Sequence, residues 1–238
     1  MKKKTAWITG GSRGIGFGVA ESLLAEGYNV VISGRNPEHL HDALADLRNR
    51  FDADAILGVV SDVRDFGSQQ KVVEQTLEKF GSLDILVANA GIGHFANIEE
   101  LTVEQWHQTI DVNLTGVFYS VKVALDELKK NKGYIITISS LAGTNFFEKG
   151  TAYNASKFGL TGFTQALMLD IRQHDVKTTT IMPGSVATYF NDNIPDESDS
   201  WKIQKEDIGQ MVADLLKMHP RVLPSKIEVR PSKTNSVK

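Results

Sequence analysis

The sequence Thr5–Gly16, TAWITGGSRGIG, places a short apolar run directly before a glycine-rich turn. The run from Thr5 to Thr9 has the composition of a buried strand. From Ile15 onward, apolar residues recur at helical spacing, as in Val19 and Leu23. The stretch therefore predicts a strand, a tight turn and a helix, which together form the first unit of an α/β sheet.

The glycines of this turn suit a bound phosphate. Gly10, Gly14 and Gly16 allow positive φ, close approach of the backbone to a pyrophosphate, and tight packing of helix on strand. The spacing is GxxxGxG rather than GxGxxG, and a tight turn without a ligand is the alternative. We favour phosphate binding because the turn follows the first strand and opens the first helix, whose N-terminus attracts anions. The candidate cofactor-binding residues here are Thr9, Gly10, Ser12, Arg13, Gly14, Ile15 and Gly16.

Further apolar runs alternate with helical stretches along the chain. They are Asn29 to Ser33, Ala55 to Val60, Ile85 to Ala88, Tyr134 to Ser139, Thr178 to Met182 and Lys226 to Val229. This alternation predicts a parallel sheet with helices on both faces, built from right-handed crossovers. Because the sequence has neither a break in composition nor an internal repeat, we expect residues 1–238 to form one domain.

Composition excludes several classes of function. A net charge of −3 gives no electrostatic reason to expect nucleic acid or an anionic membrane as a partner. The sequence has no apolar stretch near the roughly 20 residues that span a bilayer, so we expect a cytoplasmic protein. It has no cysteine, which excludes disulfides and thiolate catalysis, and its six histidines show no ligand spacing, so we expect no metal site.

The end of the second strand bears on the choice of cofactor. An NAD site would place an acidic residue there to bind the ribose hydroxyls, but this chain has Ser33, Gly34 and Arg35. Arg35 and Arg13 would offer two guanidinium groups to a 2′-phosphate. The alternative is that both are solvated loop arginines. We expect NADP(H).

The third and fourth strands also end in candidate binding loops. Because the carboxyl ends of neighbouring strands bind the ligand of an open parallel sheet, we expect both loops near the adenine and ribose. Asp62 could instead cap the helix that starts near Asp65. The candidate residues are Asp62, Val63, Asn89, Ala90 and Gly91.

Tyr153 and Lys157 lie four residues apart at the head of a predicted helix, Ala152 to Arg172. An ammonium about 5 Å from the phenol, at an effective dielectric of about 20, would favour the phenolate by roughly 3 kcal/mol, or about 2 pKa units. Such a pair can act as acid and base near neutral pH. By itself the spacing is more often accidental, so its weight depends on the rest of the chain.

Two polar residues upstream support the pair. Ser140 follows the fifth strand, thirteen residues before Tyr153. Asn113 stands in an apolar run of a long helical stretch, Thr102 to Lys130, which begins with a plausible capping box of Thr102 and Gln105. A structural hydrogen bond is the alternative role for Asn113.

These motifs, in this order and over essentially the whole length, resemble those of the short-chain dehydrogenase/reductase family. The resemblance implies a single-domain, doubly wound, seven-stranded parallel Rossmann sheet of order 3-2-1-4-5-6-7 that binds a nicotinamide dinucleotide. It implies a catalytic tetrad of Asn113, Ser140, Tyr153 and Lys157, and Arg13 and Arg35 match positions that mark NADP-preferring members. The stretch after the sixth strand matches the family's PGxVxT motif, which adds the cofactor-binding residues Pro183, Gly184, Val186 and Thr188.

The sequence departs from the family pattern at two places. Ala88 replaces the first residue of Asn-Asn-Ala-Gly, at the edge of the cofactor pocket. The glycine-rich C-terminus of many members is missing, and residues 231–238 are predicted to form a frayed tail. The resemblance implies a homodimer or homotetramer, although this C-terminus puts the family's tetramer packing in doubt.

The resemblance implies an NADPH-dependent reductase that converts a carbonyl compound to an alcohol. Tyr153 would be the general acid, Lys157 would lower its pKa and hold the ribose, Ser140 would bind the carbonyl oxygen, and Asn113 would position a water. Tyr153 and Lys157 are also predicted to be cofactor-binding residues. The alternatives are an NAD-linked alcohol dehydrogenase, a 3-oxoacyl thioester reductase, and a non-catalytic NADP(H)-binding regulator.

The substrate prediction depends on a polar segment and on aromatic residues in loops. Thr188 to Trp201 is acidic and reads as a loop, and we expect a short lid over residues 188–204. The aromatic and histidine residues expected near the pocket are His94, Phe95, Phe146, Phe147, Tyr189, Phe190 and Trp201. They favour an apolar or aromatic carbonyl compound, and packing within lid and core is an equally good explanation.

Overall fold

Seven parallel strands form one sheet in the computed structural model, which describes residues 3–233. The strands β1 to β7 are Thr5–Thr9, Asn29–Gly34, Ile56–Val60, Ile85–Ala88, Tyr134–Ile138, Lys177–Pro183 and Lys226–Val229. Their order is β3-β2-β1-β4-β5-β6-β7, and every neighbouring pair is parallel. The predicted single-domain, doubly wound Rossmann sheet is therefore confirmed, and each predicted strand end lies within one residue of the observed end.

Helices cover both faces of this sheet. The helices α1 to α7 are Gly14–Ala25, Pro37–Arg50, Phe66–Phe80, Val103–Ile110, Gly116–Lys130, Thr151–Ile171 and Lys205–Lys217. Successive side chains of a strand point to opposite faces, so Ile8 packs with Val19 of α1 while Trp7 packs with Val117 of α5. One apolar core therefore lies under α1, α2 and α7, and the other lies under α3, α5 and α6.

The predicted long helix from Thr102 to Lys130 is interrupted. Its capping box is confirmed, because the Thr102 side chain accepts from the backbone of Gln105 and the Gln105 side chain accepts from the backbone of Thr102. Between α4 and α5, residues Asp111–Thr115 form a π-helical turn. Such a turn widens the helix by one residue and is frequent at functional sites. Asn113, the polar residue that the sequence analysis selected, lies at its centre.

The predicted lid leaves the sheet after β6 and returns before α7. Its base is closed by a bridge between Val186 and Ile203, and the loop contains the short 3₁₀ turns Phe190–Asp192 and Glu197–Trp201. Within it, Asp199 is buried and bonded to Lys202 at 2.6 Å. This lysine is the main cause that lowers the pKa of the Asp199 carboxyl below its usual value. Contacts within the lid therefore help to hold its conformation.

Within residues 3–233, no helix is both long enough and apolar enough to cross a bilayer. The predicted tail, residues 231–238, falls partly inside this range. Pro231 to Lys233 are described, and residues 234–238 lie outside the described residues.

Candidate active site and cofactor cleft

A cleft of about 1520 Å³ opens at the carboxyl ends of the strands. It is larger than the roughly 300–1,000 Å³ of typical small-molecule pockets and has room for an extended ligand. Most predicted site residues line it, namely Gly10, Ser12, Arg13, Gly14, Ile15, Arg35, Asp62, Val63, Asn89, Ala90, Gly91, Ser140, Tyr153, Lys157, Pro183, Gly184, Val186 and Thr188. The other predicted residues, Thr9, Gly16 and Asn113, support this lining from behind.

The glycine turn has the shape of a phosphate site. Gly10 and Gly14 adopt positive φ values of 64° and 55°. A Cβ on Gly16 would lie 2.5 Å from both the Asn89 side chain and the Gly10 carbonyl oxygen, so no larger residue fits there. Arg13, the N-cap of α1, makes no side-chain capping bond, which leaves the N–H groups of the first helical turn available for an anion.

The loops after β1 and β4 are fastened to each other. The hydroxyl oxygen of Thr9 accepts from the backbone N–H groups of Asn89 and Ala90, each at 3.0 Å. The Asn89 side chain donates in return to the carbonyl oxygens of Thr9 and Gly10, at 2.9 and 3.1 Å. Thr9 and Asn89 therefore fix the glycine turn relative to the neighbouring strand, although Thr9 does not line the cleft.

Two arginines lie at one end of the cleft. Both Arg13 and Arg35 are exposed, and within residues 3–233 the Arg35 guanidinium has no hydrogen bond or ion pair. Arg13 donates to Nδ1 of His39 at 2.9 Å and lies over the ring of Tyr189, 5.6 Å from its centroid. His39 also lines the cleft. Sequence reasoning missed it because a lone histidine on a helix carries no signal of its own.

Asp62 lies beside these cations and is bonded to Arg64 at 2.6 Å. The Arg64 guanidinium is the main cause that lowers the pKa of the Asp62 carboxyl. The alternative role considered for Asp62, capping the following helix, is wrong, because Asp65 caps α3 by accepting from the Ser68 N–H at 3.1 Å. Asp62 therefore lines the cleft with its charge already compensated.

Lys157 and Tyr153 lie at the other end, on α6. Lys157 is 4% exposed and donates to the Ile138 carbonyl oxygen at 3.0 Å. Burial lowers the pKa of this ammonium to about 8. Its Nζ is 5.7 Å from the centre of the Tyr153 ring.

The pKa of Tyr153 moves opposite to the expectation from sequence. Burial raises the pKa of the phenol, and a hydrogen bond with Ser140 offsets only part of that rise. Desolvation therefore sets the direction of the shift, because the phenolate would lie in a buried pocket. The phenol is thus held in its protonated form at neutral pH.

Ser140 follows β5 in an extended conformation. Its hydroxyl oxygen accepts from the Ala142 N–H at 3.1 Å, and its O–H points toward the Pro183 carbonyl oxygen at 3.5 Å. The first contact opens the 3₁₀ turn Leu141–Gly143. Ser140 therefore sits at a fixed position beside Tyr153, with only a long hydrogen bond to give up to another acceptor.

Asn113 is fully buried and ties three elements together. Its side chain accepts from the Ile92 N–H and donates to the Ile92 carbonyl oxygen, both at 2.8 Å. It also donates to the Ser156 hydroxyl at 3.0 Å, and that hydroxyl donates to the Tyr153 carbonyl oxygen at 2.7 Å. Ser156 was not selected from sequence, although it lies inside the stretch between Tyr153 and Lys157.

Aromatic rings surround the Tyr153 side chain. The ring centroids of Phe95 and Phe190 lie 5.3 and 5.6 Å from that of Tyr153, and Phe147 lies 5.9 Å from Phe95. Of the residues expected here, His94, Phe147, Tyr189, Phe190 and Trp201 line the cleft. Phe95 packs directly on Tyr153, whereas Phe146 is 85% exposed and does not line the cleft.

Residues that follow β7 also reach the cleft. The Gly184 N–H donates to the Val229 carbonyl oxygen at 2.8 Å, and Pro231 lies 3.3 Å from the position of a Cβ on Gly184. Arg230, Pro231 and Lys233 line the cleft. The start of the predicted tail thus lies against the body of the protein, because pairing of β6 with β7 carries it there.

Comparison with known proteins gives consistent relatives. The family model described as short chain dehydrogenase matches residues 4–199. The chain is 36% identical over 192 residues to trans-4-hydroxycyclohexanecarboxylate dehydrogenase of Sinomonas cyclohexanicum, covering 79% of this chain and 74% of that relative.

Two solved structures have the same architecture. An alcohol dehydrogenase from the archaeon Thermococcus sibiricus, complexed with 5-hydroxy-NADP, superposes with a TM-score of 0.90 at 29% identity and 98% coverage of both chains. A 3-ketoacyl-(acyl-carrier-protein) reductase from Brucella melitensis, complexed with NADH, gives a TM-score of 0.87 at 25% identity, covering 96% of this chain and 97% of that chain.

Proposed function

The chain belongs to the short-chain dehydrogenase family, and on that premise we propose that this oxidoreductase uses NADPH to reduce an apolar or aromatic carbonyl compound to an alcohol. The observation that carries the proposal is the arrangement of one cleft. Tyr153, Lys157 and Ser140 line one end, and Arg13 and Arg35 line the other.

The residues of the cleft fit a nicotinamide dinucleotide phosphate. The open N–H groups after Gly14 suit the pyrophosphate, and the two arginines suit a 2′-phosphate. The loops carrying Asp62, Val63 and Asn89–Gly91 would contact the adenine and ribose, and Pro183–Thr188 would contact the carboxamide. When bound, the cofactor supplies the hydride.

Tyr153 is the proposed general acid. Its proton moves from Oη to the carbonyl oxygen as negative charge develops there. The Ser140 hydroxyl donates a hydrogen bond to the same oxygen. The Lys157 ammonium then stabilises the phenolate left behind, by roughly 3 kcal/mol if the two charges are about 5 Å apart at an effective dielectric of about 20. The raised phenol pKa and the buried ammonium therefore cooperate, since one keeps the proton available and the other stabilises its loss.

Asn113 is proposed as the residue that aligns this machinery. Through Ile92 it fixes the loop after β4, and through Ser156 it fixes the first turn of α6 that carries Tyr153. Alignment of reacting groups contributes a large part of catalysis, and misplacement by about 1 Å can cost about a hundredfold in rate. The π turn supplies this alignment by setting the direction of the Asn113 side chain.

The substrate class follows from the wall around Tyr153. Phe95 and Phe190 both pack on its ring, and their own centroids lie 6.3 Å apart, so a carbonyl group that reaches Tyr153 lies beside an apolar aromatic wall. Such surfaces favour a compact apolar or flat aromatic group beside the carbonyl. A small polar sugar would leave its hydroxyls without partners on this wall.

The direct test follows NADPH and NADH absorbance with aldehydes, ketones, diketones and acyl thioesters. We expect NADPH to be oxidised fastest with aromatic or cyclic ketones and aldehydes. Turnover restricted to small polar sugars would contradict the proposed substrate class. Tight NADPH binding without oxidation across the panel would favour a regulator instead.

A second candidate is a dehydrogenase of a cyclic hydroxy acid, like the relative from Sinomonas cyclohexanicum. The observation in its favour is the pair of cations at the edge of the cleft, Lys233 and Arg230, which is 3.3 Å from Glu228, because a substrate carboxylate would bind to Lys233 and share Arg230 with Glu228. Oxidation of 4-hydroxycyclohexanecarboxylate that is faster than reduction of any uncharged ketone would favour this candidate.

A further inference from the structure

Arg13 is held from two sides by residues outside the glycine turn. On one side its Nη2 donates to His39 Nδ1 at 2.9 Å. On the other its guanidinium lies over the Tyr189 ring at 5.6 Å, within the distance of a cation–π contact. An exposed arginine normally samples many rotamers, so two contacts at once restrict it to a small region beside the cleft.

The His39 contact comes from a firmly placed helix end. Asn36 caps α2 by accepting from the N–H groups of Glu38 and His39, at 2.9 and 3.0 Å, and Pro37 occupies the first helical position. Because a guanidinium only donates, Nδ1 of His39 must be the acceptor. Arg13 keeps its remaining N–H groups for a phosphate.

The Tyr189 contact comes from the lid. Thr188 lies 3.3 Å from the position of a Cβ on Gly14, so the lid begins directly over the glycine turn. The next lid residue after Tyr189 is Phe190, whose ring packs on Tyr153. Two consecutive lid residues, Tyr189 and Phe190, therefore connect Arg13 at one end of the cleft with Tyr153 at the other.

We propose that Tyr189 and His39 are positioning residues that hold Arg13 ready for the 2′-phosphate, so that the lid forms part of the site that selects NADPH over NADH. This inference rests on the proposed function. Holding a charged side chain in its bound position lowers the ordering cost of binding. Since coupling between sites is reciprocal, binding of a 2′-phosphate to Arg13 also stabilises the contact of Tyr189 with Arg13.

The experiment measures dissociation constants of NADPH and NADH by nucleotide fluorescence, and of 2′-AMP and 5′-AMP by competition. Wild type is compared with Arg13→Leu, His39→Ala, Tyr189→Leu and Tyr189→Phe. Phe146→Leu is the matched control, because Phe146 is an exposed aromatic residue that does not line the cleft. The quantity of interest is the ratio of the NADH constant to the NADPH constant, since general damage to the lid would weaken both nucleotides alike.

We expect Tyr189→Leu and His39→Ala each to lower that ratio about threefold, the size of one exposed cation–π contact or hydrogen bond. Tyr189→Phe keeps the aromatic ring that contacts Arg13, so it should have the wild-type ratio. In the Arg13→Leu background, Tyr189→Leu should have no further effect on the ratio, because the residue it positions is gone. Tyr189→Leu and His39→Ala should also weaken the binding of 2′-AMP and leave the binding of 5′-AMP unchanged.

The outcomes separate this inference from the proposed function. A wild-type ratio near one would overturn both, since the protein would not select the phosphate. A high wild-type ratio that Arg13→Leu abolishes and Tyr189→Leu leaves intact would overturn only the positioning role. Equal weakening of NADPH and NADH by Tyr189→Leu would also overturn it, because the lid would then act as general support.

Discussion

The two ends of the cleft use charge in opposite ways. At the end that contains Tyr153, Asn113 is 0% exposed and Lys157 is 4% exposed, and both are bonded to backbone groups of neighbouring elements. At the other end, which we propose binds the 2′-phosphate, Arg13 and Arg35 are exposed on loops. The Lys157 ammonium is therefore buried away from water, whereas the two guanidinium groups are in contact with it.

This difference separates chemistry from cofactor choice. Burial shifts pKa values and fixes positions, which a proton transfer requires. Exposed guanidinium groups are screened by solvent and contribute little to the fold, so they can change without unfolding the protein. We therefore expect substitutions at the buried end to change rate and stability, and substitutions at the exposed end to change cofactor preference alone.

The largest effect is expected for Lys157→Met. Loss of the ammonium should lower kcat/KM about 10³-fold. The same change should stabilise the fold at pH 7 by about 2 kcal/mol. The fall of the Lys157 pKa from 10.5 to about 8 means that burial of its charged form destabilises the folded state by about 3 kcal/mol. The variant gains this amount but loses about 1 kcal/mol from the hydrogen bond to the Ile138 carbonyl oxygen.

Urea unfolding and NADPH oxidation measure the two effects of Lys157→Met. Lys79→Met is the control, because Lys79 also donates to a backbone carbonyl, that of Ile56 at 2.8 Å, outside the cleft. The downward shift of the Lys157 pKa also predicts how the free energy of unfolding depends on pH. The folded protein binds fewer protons than the unfolded chain between pH 8 and 10.5, so this residue's contribution to stability rises with pH across that window. Full activity in Lys157→Met would remove the lysine from the mechanism.

A smaller loss, about a hundredfold in kcat, is expected for Asn113→Leu. The Ile92 backbone groups and the Ser156 hydroxyl would lose their partner, so unfolding should also become easier by about 2–3 kcal/mol. Gln165→Leu is the control, since its amide donates to the Ser225 carbonyl oxygen away from the cleft. If both variants lost stability and neither lost kcat, Asn113 would be only structural.

Arg35→Asp probes the exposed end. Replacing a cation by an anion should lower the preference for NADPH over NADH roughly 30-fold, the range of a lost charged hydrogen bond, while leaving urea unfolding unchanged within about 0.5 kcal/mol. Arg48→Asp makes the same charge change on the exposed face of α2, outside the cleft. An unchanged preference in Arg35→Asp would remove the phosphate argument for Arg35.

The mildest perturbation is a change of pH, which requires no substitution in the protein. The Lys157 ammonium is protonated below its pKa of about 8 and neutral above it, so kcat/KM for reduction should fall up to about tenfold per pH unit above pH 8. Tyr153 does not account for this decline, because its pKa is raised. Lys157→Arg should move the decline to higher pH. A flat profile from pH 7 to 10 in wild type would contradict the assignment.

Chain order was enough to predict the sheet and the residues at its edge. A strand followed by a glycine turn and helix defines β1, and parallel pairing then brings Asn89 and Ser140 to the same edge whatever the details of packing. The pairing of Asn113 with Ser156, forty-three residues apart, depends on how α4 and α5 pack against α6. No local pattern carries that information.

The electrostatics were harder to predict than the positions. The spacing of Tyr153 and Lys157 predicts electrostatic attraction between them, but it does not predict desolvation of the phenol, which depends on how Phe95 and Phe190 pack around it. The contacts of Arg13 with His39 and Tyr189 were missed for a similar reason. They join three separate segments, and only the folded chain brings them together.

The central claim is that Tyr153 gives a proton to a carbonyl that receives hydride from NADPH. The most direct measurement follows transfer of deuterium from NADPH that carries deuterium at both C4 positions of the nicotinamide to an aryl ketone, by mass spectrometry of the alcohol, in wild type and Tyr153→Phe. We predict one deuterium on the carbinol carbon in wild type, and at least about 10³-fold slower transfer in Tyr153→Phe with an unchanged dissociation constant for NADPH. Equal transfer rates in the two proteins would contradict the account.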